Sequence, residues 1–177
     1  MEKYNVLLYY YYTKINNPFE IMDSHKKFCN QLNVKGRIII AREGINGTIS
    51  GPIEDCNKFK NWLKILIKND QMDFKESECT KHLFDKLSIK VKDHIIKMGE
   101  EVDPTKKTGT HLTPKQFKEK MKQEDTIIVD FRSKMEHHLG KFKNAITFDI
   151  NSMYEVPKIY DSHEFFKDKS NLNKNIL

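Results

Sequence analysis

The chain has 177 residues, of which 38% are hydrophobic and 32% charged, so it is long enough for one domain or two small ones and is typical of a soluble globular protein. No apolar run approaches the roughly 18 residues of a membrane-spanning helix, and the VLLYYYY stretch near the start is too short and too aromatic for a signal peptide. Three widely spaced cysteines, Cys29, Cys56 and Cys79, predict neither a disulfide framework nor a zinc site, and a cytoplasmic protein is expected.

The first elements of the chain are a strand and a helix. Residues 6–15, VLLYYYYTKI, are continuously apolar and aromatic, which predicts a central strand covered on both faces. Asn17-Pro18-Phe19-Glu20 then supplies an N-cap, a proline at the first helical position and an acid three residues after the cap. The helix is predicted to bury residues at three-and-four spacing: Ile21, Met22, His25, Phe28, Cys29 and Leu32.

Three more strands and a second helix follow. Residues 36–41 and 47–50 predict strands joined by a hairpin over REGIN, in which Gly44 and Gly47 can take positive φ angles. Gly51-Pro52 opens a helix with the apolar stripe Ile53, Cys56, Phe59, Leu63 and Leu66. The last strand is half exposed, because apolar and polar residues alternate in LSIKVK: Leu87, Ile89 and Val91 against Ser88, Lys90 and Lys92.

The order β-α-β-β-α-β predicts an α+β ferredoxin-like domain over residues 1–98. In this fold two helices cover one face of a four-stranded antiparallel sheet, and the other face is free to meet a partner. Residues 99–112 contain Gly99, Pro104 and Gly109 with little apolar periodicity, which indicates a linker.

Residues 113–177 predict an α/β unit with a parallel sheet. Thr113-Pro114-Lys115-Gln116 is a capping box that opens a helix to about Gln123, and Ser133-Lys134-Met135-Glu136 is a second capping box, whose helix Gly140 closes. Strands are expected at 126–131, at AITF and at the final NIL, with one more helix around 162–169.

The basic residues are unevenly distributed. Residues 1–99 hold 17 Lys and Arg against 12 Asp and Glu, whereas residues 100–177 hold 14 against 13. Such an excess attracts a polyanion, most commonly RNA or DNA, although a lysine-rich codon bias or a merely solvated surface would look the same. The candidate nucleic-acid contacts lie around the hairpin and the last strand: Lys35, Arg37, Arg42, Lys90 and Lys92.

Other motifs leave simpler interpretations open. GING, residues 44–47, matches the GXXG of KH domains but joins two strands, which favours a turn. The tyrosines at 9–12 could stack bases on an open sheet face, but no RNA-recognition signature accompanies them, which favours core and interdomain packing. The adjacent His137 and His138 point apart on a helix and predict no metal site. Asp130 and Arg132 flank a strand end, where they serve either a ligand or an ion pair that fixes the next turn.

The segments GRIIIAREGINGTISGP, LSIKVKDHIIKMG and VDFRSKMEHHLGKFKNA together resemble the rhodanese-like tRNA uridine(34) hydroxylases, in the family's order and over essentially the whole chain. The resemblance implies an acylphosphatase-like N-terminal domain followed by a rhodanese-like domain. It also implies oxygen-dependent 5-hydroxylation of the wobble uridine of tRNA, with tRNA as partner and molecular oxygen as co-substrate, and the sequence identifies no other cofactor.

The same resemblance assigns a rhodanese framework. Asp130, Arg132, Glu136 and Gly140 match its main positions, as do Phe142, Asn144 and Ala145, whereas Lys141 stands where a histidine is usual and His137 where an aromatic residue is usual. The family's nucleophilic cysteine follows a later strand, in a loop whose backbone N–H groups stabilise the thiolate. In this chain KNIL resembles the start of that strand and no cysteine follows it. The chain is therefore expected to be inactive alone, either as a truncated hydroxylase or as a stand-alone tRNA-binding module.

Overall fold

A computed structural model describes residues 3–99, 108–171 and 173–177 of the chain. The chain divides into two compact units, Met1–Ile95 and Ile96–Leu177. Most of the predicted linker, residues 100–107, lies outside the described residues. Within the described part of the chain, no helix has the length and apolarity needed to cross a membrane.

The first unit contains five strands and two helices. Its helix α1 begins as expected, since the Asn17 side chain accepts a hydrogen bond from the Glu20 backbone N–H (3.3 Å) and Pro18 is the first helical residue. The elements are β1 (Tyr4–Tyr12), α1 (Pro18–Cys29), β2 (Lys35–Ala41), β3 (Gly44–Pro52), α2 (Ile53–Ile67), β4 (Lys75–Cys79) and β5 (Leu87–Val91).

These strands form one sheet in the order β4-β1-β3-β2-β5. The first four are antiparallel in the ferredoxin-like arrangement, which confirms the predicted fold of this unit. The assignment of the fourth strand was wrong: it is β4, which pairs with β1, whereas β5 is a fifth strand that runs parallel to β2. The prediction missed β4 because its sequence KESEC has almost no apolar residues, and such a charged edge strand carries no hydrophobic alternation.

The core lies between the two helices and one face of the sheet. Helix α1 contacts β2 and β5, and α2 contacts β1 and β3. Alternate strand residues point into this layer, where the fully buried side chains are Leu7, Ile38, Ile40, Ile45, Ile49, Phe59, Leu63 and Cys56, with Tyr9 at 1% exposure. The opposite face carries no helix of this unit and is called here the open face.

The expectation that β1 is covered on both faces was wrong. Leu8 and Tyr10 lie on the open face and are 41% and 53% exposed. Continuous apolar and aromatic residues are typical of a strand with two covered faces, but in β1 one of the two faces carries the exposed aromatic ring.

The hairpin glycines have different roles. Gly44 has φ 150°, and a Cβ there would lie 2.2 Å from the Tyr11 carbonyl oxygen, so this position requires glycine. Gly47 does not have a positive φ, contrary to expectation. It is needed for space, because a Cβ would lie 2.3 Å from the Tyr9 hydroxyl oxygen.

The second unit is built from shorter elements. Both predicted capping boxes are present, at Thr113 with Gln116 and at Ser133 with Glu136. The first helix ends at Lys120 rather than near Gln123, and two short helices replace the single helix expected around residues 162–169. The elements are α3 (Pro114–Lys120), β6 (Thr126–Ile127), β7 (Val129–Asp130), α4 (Lys134–Leu139), β8 (Ile146–Thr147), α5 (Val156–Ser162), α6 (Glu164–Lys167) and β9 (Asn175–Ile176).

The strands of this unit pair in parallel, β6 with β9 and β7 with β8, as the alternation of helices and strands predicts. The segment 126–130 therefore lies between β8 and β9. Three aromatic rings of this unit, those of Phe131, Phe148 and Phe166, stack on one another with centroid distances of 5.0–6.0 Å.

Candidate nucleic-acid interface

The open face brings aromatic, polar and basic side chains into register. Tyr10 of β1 is opposite Asn46 of β3, Asn46 is opposite Ile39 of β2, and Ile39 is opposite Lys90 of β5. Residues that are directly opposite one another project from the same face. The adjacent row is Leu8, Thr48, Arg37 and Ser88. The open face therefore changes from aromatic at β1 to basic at β5.

A pocket of about 490 Å³ lies at the basic end of this face. It is lined by β2, by the segment before β5 and by β5 itself, and its charged lining residues are Arg37, Asp85, Lys86, Lys90 and Lys92. We call Arg37, Lys86, Lys90 and Lys92 the basic cluster. All four residues are exposed, and a concave surface that gathers like charges concentrates the field felt by an anion.

The four cations are free to bind an anion. Among residues 3–99, 108–171 and 173–177, none of their side chains makes an ion pair or a hydrogen bond. Other lysines of the first unit are already paired: Lys60 Nζ lies 2.6 Å from Glu76 Oε1, and Lys58 Nζ lies 2.9 Å from Glu54 Oε1. Within the described part of the chain, the open face therefore has cations without carboxylate partners, whereas these two lysines on α2 have partners.

Three of the five candidate nucleic-acid contacts, Arg37, Lys90 and Lys92, meet in the basic cluster. Lys35 projects from the same face as Arg37 but is half buried and lies outside the pocket. Arg42 lies in the β2–β3 turn, outside the pocket. The carboxylate of its neighbour Glu43 accepts a hydrogen bond from the Ile95 backbone N–H (2.8 Å) and contacts His94 (3.3 Å).

Sequence reasoning missed Lys86. This residue precedes β5, and its carbonyl oxygen accepts a hydrogen bond from the Gly36 N–H at 3.2 Å, which fixes it beside β2. The signal available was its position one residue before the alternating LSIKVK segment.

The aromatic end of the open face consists of Leu8, Tyr10 and Tyr12. The rings of Tyr10 and Tyr12 meet edge to face with centroids 6.3 Å apart. By contrast Tyr9 is in the core, against Phe59 and Phe74 at 5.8 and 5.4 Å. The four consecutive tyrosines thus alternate between core and open face, and only some of them have the packing role favoured by the sequence.

The framework residues of the second unit assemble into one hydrogen-bonded group. Arg132 Nη2 donates to Asp130 Oδ2 (2.7 Å) and to the Gly140 carbonyl oxygen (2.8 Å), so it ties the end of β7 to the end of α4. Glu136 accepts from the Ser133 N–H and hydroxyl at the start of the same helix. The Arg132 guanidinium lowers the pKa of Asp130 from 3.8 to about 2. This geometry is that of an ion pair that fixes the turn.

The cysteines are all in the first unit. Burial raises the pKa of Cys29 to about 12 and that of Cys56 to about 11, so both are neutral thiols near pH 7. Cys79 lies at the end of the edge strand β4 and is partly buried. The framework group in the second unit has no thiol among residues 108–171 and 173–177.

Comparisons with known proteins identify relatives of this chain. Residues 4–95 match the family model described as UPF0176 acylphosphatase like domain. The protein named tRNA uridine(34) hydroxylase of Bacillus licheniformis is 41% identical over 170 residues, covering 94% of this chain and 53% of that protein. The protein of the same name from Cytophaga hutchinsonii is 39% identical, covering 96% and 54%. This chain thus spans about half the length of these curated relatives.

Among solved structures, the dark state structure of the BLUF protein BlrB matches at a TM-score of 0.44 with 17% identity, over 51% of this chain and 73% of that one.

Proposed function

This chain belongs to the tRNA uridine(34) hydroxylase family, the UPF0176 proteins, and from that premise we propose that it binds tRNA through the open face of its N-terminal sheet. The observation that carries the proposal is the basic cluster, whose four cations lack protein partners among the described residues. As a tRNA-binding protein it is proposed to work in the cytoplasm.

The role of the basic cluster is electrostatic. Arg37, with its planar guanidinium, is suited to bidentate contact with a phosphate, whereas the three lysines act as mobile point charges. Each phosphate that is neutralised releases counterions, so affinity falls as salt rises, with a slope of about 0.7 to 0.9 per contact. Such contacts position the RNA without reading its sequence.

A tRNA-binding titration across a salt series tests the proposal. The double variant Arg37→Glu, Lys90→Glu is expected to weaken binding and to flatten the plot of log affinity against log salt by about 1.4 to 1.8, the contribution of two phosphate contacts. Neither side chain contributes to the core, because both are exposed. The thermal unfolding midpoint is therefore expected to change little.

The matched control is Lys26→Glu, Lys27→Glu. These exposed lysines are in the last turn of α1, on the helix side of the sheet, and the control changes the net charge by the same amount. It should keep the wild-type salt slope. Equal loss of binding in both double variants would show that net charge alone, and not the position of the cations, determines binding. Unchanged binding by a folded Arg37→Glu, Lys90→Glu variant would refute the open-face site.

We further propose that residues 113–177 are the first part of a rhodanese-like domain, and that the family reaction is oxygen-dependent hydroxylation of the wobble uridine. The framework group of Asp130, Arg132, Glu136 and Gly140 supports this assignment, because it closes the turn after a parallel strand. A rhodanese mechanism also needs an activated thiolate. The cysteines that this chain contains are in the first unit, and Cys29 and Cys56 are buried, neutral thiols.

The 177 residues by themselves are therefore proposed to bind tRNA without turning it over. The test is an assay of thiosulfate sulfurtransferase activity and of tRNA uridine hydroxylation with the isolated chain, in which no turnover is expected. Turnover that disappears on replacement of Cys29, Cys56 or Cys79 by serine would show that one of these thiols is catalytic and would refute the proposal.

A further inference from the structure

The exposed ring of Tyr10 has no packing role in the first unit. It is 53% exposed on the open face and contacts Tyr12 only by an edge, at a centroid distance of 6.3 Å. Tyr10 lies just beyond Leu8, where the pairing of β4 with β1 ends, so among the described residues only β3 pairs with β1 at this ring. An aromatic ring exposed beside unpaired backbone is suited to binding a planar ligand.

A pocket of about 290 Å³ opens beside this ring. It lies between β1 and the segment that leads into β4, and its lining includes Leu8, Tyr10, Asn69, Gln71, Asp73 and Lys75. The pairing of β4 with β1 ends at Leu8, opposite Lys75. From Tyr9 to Tyr12 the edge of β1 that faces away from β3 therefore has no partner strand among the described residues, and its N–H and C=O groups are available to a ligand.

Cations flank the aromatic end on both sides. Lys75 is opposite Leu8 and projects from the open face at the β4 edge. Lys90 is three strand positions from Tyr10 in the other direction, about 14 Å at the usual strand spacing of about 4.8 Å. A planar apolar ring between two sets of cations is complementary to a nucleic-acid strand, which alternates planar bases with phosphates.

We infer that a single-stranded RNA segment crosses the open face with one unpaired base stacked on Tyr10 and with phosphates on Lys75 and the basic cluster. This inference rests on the proposed tRNA binding and specifies its substrate class: single-stranded RNA, such as a tRNA loop, rather than a duplex. A base inside a duplex is already stacked on its neighbours and cannot cover the tyrosine ring. The free edge of β1 and the amides of Asn69 and Gln71 then face the edge of the stacked base.

The experiment uses the full chain and three RNA probes: a labelled oligouridylate of about 12 nucleotides, within the usual site size of single-strand binders, a duplex RNA of the same length, and tRNA. Tyr10→Leu keeps an apolar side chain but removes the π face, and it should weaken binding of the single strand about 5- to 150-fold, the range for loss of one base–aromatic stack. Tyr10→Phe keeps the ring and should bind like the wild type. The salt slope should be unchanged in both variants, because no phosphate contact is lost.

Phe19→Ala is the matched control, because Phe19 is 62% exposed but lies at the start of α1, on the helix side. It should have wild-type affinity. In addition, an oligonucleotide carrying 5-iodouridine, which crosslinks to an aromatic ring that it stacks on, should label Tyr10 on illumination. Thermal unfolding monitored by circular dichroism verifies that each variant is folded.

The outcomes separate this inference from the proposed function. Wild-type affinity in a folded Tyr10→Leu variant, tighter binding of the duplex than of the single strand, or crosslinks that map away from Tyr10 would each overturn the stacking site. If at the same time Arg37→Glu, Lys90→Glu still weakens tRNA binding, the tRNA-binding proposal stands without it. A wild-type chain that binds neither tRNA nor the single strand would overturn both.

Discussion

Substitution of Gly47 by alanine should destabilise the first unit, because β3 passes directly over the buried Tyr9 ring. A Cβ at this position would lie 2.3 Å from the Tyr9 hydroxyl oxygen and 2.4 Å from Cζ. Ordinary contact requires about 3.5 Å, so the ring or the strand must move by roughly 1 Å. The ring cannot move freely, since it is 1% exposed and packs against Phe59 and Phe74.

Overpacking of this kind lowers the free energy of unfolding by about 1–3 kcal/mol. For a domain of this size each kcal/mol shifts the thermal unfolding midpoint by about 4–8 °C, so the midpoint should fall by at least about 4 °C. Urea unfolding followed by fluorescence measures the effect in this unit, because Trp62, which stacks on Phe28 at 4.5 Å, is the chain's single tryptophan. Gly109→Ala is the control, because nothing lies within 4 Å of its added Cβ. Its stability should equal that of the wild type.

Tyr9→Phe tests the cause. The Tyr9 hydroxyl is buried without a hydrogen-bond partner among the described residues, so its removal should leave the protein at least as stable. It also removes the atom nearest to the new Cβ, so Gly47→Ala should cost less in the Tyr9→Phe background, with a coupling of about 0.5 kcal/mol or more. A Gly47→Ala variant with wild-type stability, or a double variant whose two effects simply add, would refute this account of the packing.

Three further predictions concern the rest of the chain. Glu43→Ala should speed hydrogen exchange at the Ile95 amide and lower the free energy of unfolding by about 1–3 kcal/mol, because a buried N–H loses its acceptor. Unchanged exchange at Ile95 would contradict this. Because the pKa of Asp130 is lowered in the folded chain, its ionised carboxylate stabilises the second unit above about pH 4, and this contribution should be lost as pH falls towards 2. Near-UV circular dichroism should show a loss of structure over this pH range in the wild type that is missing in Asp130→Asn. A fragment of residues 1–98 should unfold at the same urea concentration as the Trp62 transition of the whole chain, and an unfolded fragment would contradict its autonomy.

Local chemistry made the helix starts predictable. Asn17 with Pro18, Thr113 with Gln116, and Ser133 each act within three or four residues, so the sequence contains the whole interaction. The alternation in β5 likewise predicts which face each side chain occupies, and Leu87 and Ile89 do pack against the core.

Strand partners and exposure depend on distant residues, and there the prediction failed. Strand β4 lacks an apolar pattern and is held instead by polar contacts of Glu76, which accepts from Asn5 Nδ2 (2.8 Å) and Lys60 Nζ (2.6 Å). Neither partner is near it in sequence. For the same reason the apolar run of β1 could not show that the face with Leu8 and Tyr10 is uncovered by the helices of the first unit. That exposure of Tyr10 is what makes a base-stacking site possible.

The identity of the strand beside β2 decides whether there is a basic cluster at all. As the fourth strand of a ferredoxin-like sheet, residues 87–91 would pair with β1, and two strands would then separate Lys90 from Arg37. Because β5 instead runs parallel to β2, with Arg37 opposite Ser88, the two cations lie on neighbouring strands beside one pocket.

Lysines on an edge strand also have a protective role, since charge on an edge prevents pairing with another chain. That role is indifferent to the sign of the charge, whereas phosphate binding is not. The Arg37→Glu, Lys90→Glu variant therefore separates the two explanations. Edge protection alone predicts that the variant keeps both the wild-type oligomeric state and its RNA affinity, whereas a phosphate-binding cluster predicts that it keeps the oligomeric state and loses the affinity.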